Sequence, residues 1–265
     1  MVPNVLTIAG FDPSAGAGVL ADIKTFAALH CYGIAAVSAL TAQNTQGVQA
    51  LMPVPADFLA AQIDALFADT DIAAVKIGML GTRANIGTVA QKLSTYKPRH
   101  VVLDPVMRAS SGDELATEDL TDALIHHLAP LVTLVTPNLA EAAQLAHISV
   151  PTSIDEMRAG AVKLCNAGFK AVLIKGGHLD GADAVDLFFD GENFRVFAAP
   201  RIVTENTHGT GCTLSSAIAA SLASGLTLAD AIDIAKRYVT RSLAGADELS
   251  AGRGPGPLHH FHKLW

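Results

Sequence analysis

The chain has 265 residues, a formal net charge of -7, and 50% apolar residues of which few are aromatic. The acidic balance argues against a nucleic-acid surface, which concentrates Lys and Arg. An aliphatic, aromatic-poor core suits buried parallel strands covered by helices.

Short apolar runs alternate with helical segments from the start. "VLTIAG" reads as a first strand, and "GAGVLADIKTFAALH" turns and continues as a helix. "IAAVSAL", "AAVKIG", "HVVLDP", "LVTLVTP" and "KAVLIKGG" follow as further strands. Between them "ADFLAAQIDALFAD", "NIGTVAQKLS", "NLAEAAQLAH" and "SIDEMRAGAVKLCNAG" carry helical spacing. "AVDLFFDGENFRVFAAP" then places two strand-like runs around Asp190-Gly191, a hairpin signal. "TLSSAIAASLASG" and "TLADAIDIAKRYVTRSLAGA" close the chain as helices.

No linker or repeat divides this pattern, so the expectation is one α/β domain over residues 1–265: a doubly wound, mainly parallel sheet flanked by helices, with a small antiparallel hairpin. Residues from Asn206 to Ala229 carry no formal charge over a length that could span a bilayer. Thr210, Ser215, Ser216, Ser221, Ser224 and inner glycines interrupt them, and the stretch is read as a buried helix of a soluble domain with no membrane partner. Three separated cysteines, Cys31, Cys165 and Cys212, and a start without a basic, apolar leader suggest a reducing, cytoplasmic setting.

In open parallel sheets, ligands bind beyond the carboxyl ends of the strands. The residues just after the strands here include Asp12, Gln43, Asn44, Gly78, Met79, Asp104, Thr136, Asn138 and Lys175. Gly16, Gly18 and Ala21 fit a dinucleotide fingerprint, but no Asp or Glu occurs between Asp22 and Asp57 to hold a ribose. Close packing of strand on helix is the better reading of that loop. In "NTHGTGCTLSS", Gly209 and Gly211 allow N–H groups to converge on an anion at a helix N-terminus, or serve the turn alone. Thr210 and Thr213 add hydroxyls. Glu141 complements a helix dipole or holds Mg²⁺ through water. Lys175, between an apolar strand and two glycines, faces a phosphate or snorkels to solvent. His259, His260 and His262 sit in a terminal segment without metal-ligand spacing and are read as docking the chain.

An N–H cradle, a lysine and carboxylates together form a parts list for phosphoryl transfer. The ordered series "TIAGFDPSAGAGVLADIKTFAALHCYG", "TAQNTQGV", "VKIGML", "VVLDPVM", "TPNLAEA", "VLIKGGH", "HGTGCTLSSAIAA" and "GPGPLHHFH" resembles the hydroxymethylpyrimidine/phosphomethylpyrimidine kinases of thiamine biosynthesis, in the ribokinase superfamily, nearly end to end. The resemblance implies ATP-dependent phosphorylation of an aminopyrimidine alcohol and then of its monophosphate. It further implies that Gln43 reads the pyrimidine edge and that Gly10, Asp22, Met79 and Val106 line the pocket. By the same resemblance Asp104 and Glu141 serve Mg²⁺, Lys175 reaches the ATP phosphates with Asn138 and Thr210 alongside, and Gly209, Thr210, Gly211 and Cys212 surround the transferred group. A homodimer is the expected assembly. Alternatives are a pyridoxal kinase of the same superfamily and a non-catalytic pyrimidine sensor.

Two departures stand out, since the family usually has Ser and Gly where this chain has Phe11 and Ala15. Most of the superfamily has an aspartate base where Cys212 stands. A thiol there is either a modest base or a neutral group that does not repel a phosphate acceptor.

Overall fold

A strand buried on both faces sends alternate side chains into two different cores, and the apolar runs do so in this computed structural model, which describes residues 1–107 and 120–264. Leu6, Val75, Leu103, Val135 and Ile174 enter one hydrophobic cluster. Their chain neighbours Val5, Ala74, Val102, Leu134 and Leu173 enter the other.

The strands are β1 (Asn4–Phe11), β2 (Tyr32–Asn44), β3 (Gly47–Pro53), β4 (Ile72–Ile77), β5 (Val101–Leu103), β6 (Leu134–Val135), β7 (Val172–Gly176), β8 (Asp183–Phe189) and β9 (Phe194–Pro200). They form one nine-stranded sheet in the order β3-β2-β1-β4-β5-β6-β7-β8-β9. The pairs from β2 across to β7 are parallel. Both ends are antiparallel, with β3 on β2 and the β8–β9 hairpin on β7.

The helices are α1 (Gly18–Ala28), α2 (Ala56–Asp69), α3 (Arg83–Tyr96), α4 (Thr121–Ala123), α5 (Leu139–Ala146), α6 (Ile154–Asn166), α7 (Thr210–Ala223) and α8 (Leu228–Ala244). A π turn, Leu124–Leu128, and a 3-10 turn continue α4. Helices α1, α7 and α8 cover one face, and α2, α3, α5 and α6 cover the other.

The mainly parallel sheet with its hairpin agrees with the sequence expectation. At the hairpin, Asp190 accepts the N–H groups of Glu192 and Asn193 while Gly191 adopts φ +96°. Two differences matter for the site. "IAAVSAL" is the middle of a longer strand, so Gln43 lies within β2 and not in a loop after it; a register shift between Ala42 and Gln43 marks the place. Strand β3 and the short helical run 121–131 were not expected, because neither "GVQALMP" nor "TDALIHHLAPL" shows a clean period. The uncharged stretch forms α7, packed across the sheet with Ser215 and Ser216 fully buried, and no described helix is long and apolar enough to cross a membrane.

Chain order reverses at β1: β2 lies on one side of it and β4 on the other. A crevice opens outside the carboxyl ends of the strands at such a switch point.

Candidate active site

A cavity of about 670 Å³ occupies that crevice. One end is lined by Gly10, Phe11, Asp12, Gln43, Met79 and Val106, from the ends of β1, β2, β4 and β5. The other is lined by Gly177, His178, Arg201, Ile202, Val239 and Leu243, beyond β7 and β9 and along α8. Lys76, Asp104, Glu141, Lys175 and the residues 207–212 lie between.

The middle is built from α7 and two strand ends. Gly209 begins α7 at φ +84° without a side-chain cap; the Thr210 N–H turns back to Thr207 O at 3.3 Å, which leaves the N–H groups of Gly211 and Cys212 for a ligand. A Cβ on Gly209 would sit 1.8 Å from the Gly16 oxygen, so the two glycine loops touch there. Gly211 is less tightly restricted: a Cβ there would lie 3.0 Å from the Lys175 Nζ, the tip of a long side chain.

Lys175 Nζ donates to Asp104 Oδ1 at 2.7 Å and lies 3.8 Å from Glu141 Oε2. Burial opposes its charge, but Asp104 and then Glu141 outweigh burial and hold the ammonium above the usual lysine range. Burial raises the Glu141 carboxyl to about 7, against the pull of Lys175. Glu141 also closes a capping box, accepting the Asn138 N–H at 2.7 Å while Asn138 Oδ1 accepts the Glu141 N–H at 2.9 Å. The Asn138 carbonyl-type oxygen is therefore occupied by helix α5, although the residue lines the cavity.

Cys212 borders the cavity. Burial pushes its thiol up to about 11; Lys76 and the Gly18 N–H only partly counter this, and Asp22 and Asp104 add to it. The helix terminus does not make it a ready thiolate, so near neutral pH it is a neutral group.

At the first end, Gln43 Oε1 accepts from Thr41 Oγ1 at 3.2 Å and Gln43 Nε2 lies 3.5 Å from His208 Nε2. That histidine nitrogen is 2.8 Å from Asp12 Oδ2. Burial would raise the Asp12 carboxyl, but bonds from His208, Ser14 and the Ala17 N–H hold it below the usual range. Met79 packs so closely on Gly10 that a Cβ there would meet the Met79 methyl at 2.2 Å. Phe11 lines this end, and Ala15 holds φ +60°, a left-handed conformation that glycine adopts without cost. The loop keeps the shape a glycine would favour.

Every expected site residue except Asp22 borders this cavity or, as with the glycines, shapes it. Asp22 is corrected in position: it is fully buried in α1 and not in the lining. Its oxygens are taken by Lys76 at 2.9 and 3.0 Å, Thr7 at 2.6 Å and Ser216 at 2.6 Å. It lies behind the wall and holds Lys76.

Sequence reasoning missed Lys76, His208, and the Asp186–Lys236 pair, whose charged atoms lie 2.7 Å apart at the far end. A signal for Lys76 existed. A lone lysine inside the apolar run "AAVKIG" must find a partner if the strand is buried, and the lone aspartate of "VLADIK" is that partner. His260 and His259 are buried as the docking reading expects, with His260 Nε2 3.1 Å from Thr213 Oγ1 in the first turn of α7.

The phosphomethylpyrimidine kinase family profile matches residues 12–259. The chain is 49% identical to the hydroxymethylpyrimidine/phosphomethylpyrimidine kinase of Rhizobium meliloti (strain 1021), over 100% of this chain and 99% of that protein. It is 48% identical to the enzyme of that name from Escherichia coli (strain K12), over 99% and 98%. Among solved structures, the pyridoxal kinase from Staphylococcus aureus in complex with ADP superposes with a TM-score of 0.91 at 33% identity, over 100% of this chain and 95% of that one. The phosphomethylpyrimidine kinase from Clostridium difficile 630 gives 0.80 at 39%, over 91% and 99%. The fold is thus ribokinase-like, and the chain belongs to the phosphomethylpyrimidine kinase family.

Proposed function

We propose that this protein, as a single kinase domain, transfers the γ-phosphoryl group of ATP to 4-amino-5-hydroxymethyl-2-methylpyrimidine and then to the resulting monophosphate, two steps of thiamine biosynthesis. The observation that carries the reading is the junction of the uncapped α7 N-terminus with Lys175, Asp104 and Glu141, midway between an amide-bearing pocket at Gln43 and a second pocket beyond β7. Relatives with these pyrimidine activities in their names match the whole chain, and the pyridoxal kinase neighbours hold ADP or AMP-PCP.

The residues present fit Mg²⁺ bound with a nucleotide. Lys175 and Thr136 both address Asp104 Oδ1, and Asn138 addresses Glu141 Oε2. Oδ2 of Asp104 and Oε1 of Glu141 are then the remaining hard oxygen ligands, a set that suits Mg²⁺ completed by phosphates and water. Bound Mg·ATP supplies the phosphoryl group and neutralises its charge. The chain's own part is to hold the reacting groups in line and to direct N–H groups and Lys175 at the equatorial oxygens, because a loose transition state asks mainly for positioning and charge. Gln43 offers one donor and one acceptor to the ring-nitrogen and exocyclic-amine edge of the pyrimidine. Cytoplasmic residence and a homodimer belong to the same reading. Leu40 and Met52, cross-strand partners at the β2–β3 edge, are exposed and offer an apolar patch for a second copy.

The test is turnover with each acceptor. Purified protein given ATP, Mg²⁺ and the pyrimidine alcohol should release ADP. Turnover of pyridoxal without turnover of the pyrimidine would replace the reading with a pyridoxal kinase; pyridoxal is bound in two structures of the Staphylococcus aureus neighbour.

A further inference from the structure

Five carbonyl groups in the seven residues between β7 and the start of β8 face a single arginine. Arg201 Nη1 donates to Gly177 O at 2.5 Å, Nη2 to Leu179 O at 2.6 Å and to Asp183 O at 3.3 Å, and Nε to Gly181 O at 3.1 Å. Its own N–H reaches Ala182 O at 3.0 Å. The loop it holds is otherwise exposed from His178 to Asp183, with only Leu179 half-buried against the core, so apolar packing does little to shape it. Yet Gly177 and His178 of this loop and Arg201 itself line the far end of the cavity.

The charge is unusual as well. Lys76, Lys175 and Lys236, also on the cavity wall, each meet a carboxylate at 2.9, 2.7 and 2.7 Å. Arg201 has only carbonyl partners among the described residues, so no carboxylate cancels its charge beside the cavity.

We propose that Arg201 is the positioning residue of the nucleotide end: its guanidinium fork fixes the 177–183 loop in the shape that receives ATP and leaves one uncancelled positive charge there. This rests on the reading of that end as the ATP site. A planar fork with five donors in fixed directions is what the arrangement uses, and an ammonium cannot reproduce it. In the free chain without Arg201, the loop would sample many shapes, and each binding event would have to order it.

The experiment is ADP titration calorimetry on Arg201→Ala and Arg201→Lys beside the unaltered chain, together with KM for ATP and for the acceptor. Arg201→Ala should weaken ADP binding and raise the ATP KM by about tenfold or more, the loss of charge-assisted hydrogen bonds, while the acceptor KM stays in place. Added guanidinium chloride at millimolar levels, below denaturing strength, should restore part of the ADP affinity to the Ala variant and none to the unaltered chain. Where the Ala variant does not fold, Arg201→Lys decides by the same split in KM. Unchanged ADP affinity, or equal losses on both substrates without guanidinium rescue, would overturn the proposal. Failure of the pyrimidine assay with ADP binding still dependent on Arg201 would remove the acceptor assignment instead.

Discussion

In the proposed reaction Gln43, Cys212 and Glu141 each have a different part. Gln43 sits at a register shift in β2, with its amide between Thr41 and His208. Gln43→Leu keeps the size and removes both polar groups, leaving the pyrimidine edge unpaired at about 1–3 kcal/mol per buried group. Acceptor KM should rise strongly in steady-state assays and ATP KM should not; an unmoved acceptor KM takes Gln43 out of the site. Cys212 is a neutral thiol, raised by burial that Lys76 only partly counters. A carboxylate in its place, about 4 Å from an acceptor phosphate, would repel it by roughly 4 kcal/mol per unit charge at an effective dielectric of 20. Cys212→Asp should therefore spare phosphorylation of the alcohol and suppress that of the monophosphate. Comparing kcat/KM for the two acceptors decides this, and equal losses in the Asp variant would show that charge is not what the cysteine avoids. Glu141 holds its proton up to about pH 7, well above its ordinary 4.5, because it is buried. The folded chain then binds the extra proton between those values, so this group's contribution to stability falls as pH rises through that window. The metal-ligand role proposed for it needs the ionised form. Apparent Mg²⁺ affinity, read as the Mg²⁺ dependence of rate, should weaken as pH drops below about 7, and Glu141→Gln should flatten that dependence.

At the scale of elements, the site depends on how α7 begins. Half of the eight described helices start on a residue with a capping oxygen: Thr82 before α3, Asn138 before α5, Ser153 before α6 and Thr227 before α8. Helix α7 starts on a left-handed glycine instead, without a side-chain cap. Gly209→Ala meets two obstacles: the left-handed conformation, which costs about 1–2 kcal/mol for a residue with a Cβ, and the Gly16 oxygen 1.8 Å from that Cβ. Denaturant melts should show a loss of at least about that size, and turnover should fall further than the stability loss explains because the N–H cradle shifts. A variant with unaltered stability and rate would contradict this account of the turn. The helix start was legible in sequence because "HGTGC" pairs two glycines with hydroxyls. The long β2 and the edge strand β3 were not legible, because the turn at Thr45 and Gln46 interrupts an antiparallel pair that has no clean alternation. The position of Asp22 was not legible either. Its motif match placed it near the pocket, whereas only the fold shows that Lys76, Thr7 and Ser216 take up its carboxylate behind the wall.

Across the whole molecule, parallel strands, two aliphatic cores and a chain reversal at β1 leave a crevice that, in the proposed reaction, takes both substrates end to end. The C-terminal segment closes the arrangement. His208 N–H donates to Gly256 O, the N–H groups of Arg253 and Gly254 reach Thr45 Oγ1, and His260 meets Thr213. One segment therefore touches the turn after Gln43, the loop before α7 and the first turn of α7 itself. This makes the acceptor end and the phosphate cradle parts of one rigid frame, which suits a site that must accept first an alcohol and then its phosphate without being rebuilt. The most direct measurement of that claim is a single reaction started from the pyrimidine alcohol with excess ATP and Mg²⁺ and followed by phosphorus NMR. The account predicts that monophosphate signal grows and then gives way to the two coupled signals of a diphosphate, in the same tube and with the same protein. Accumulation of monophosphate with no diphosphate at completion, or no phosphorylated pyrimidine at all, would contradict it.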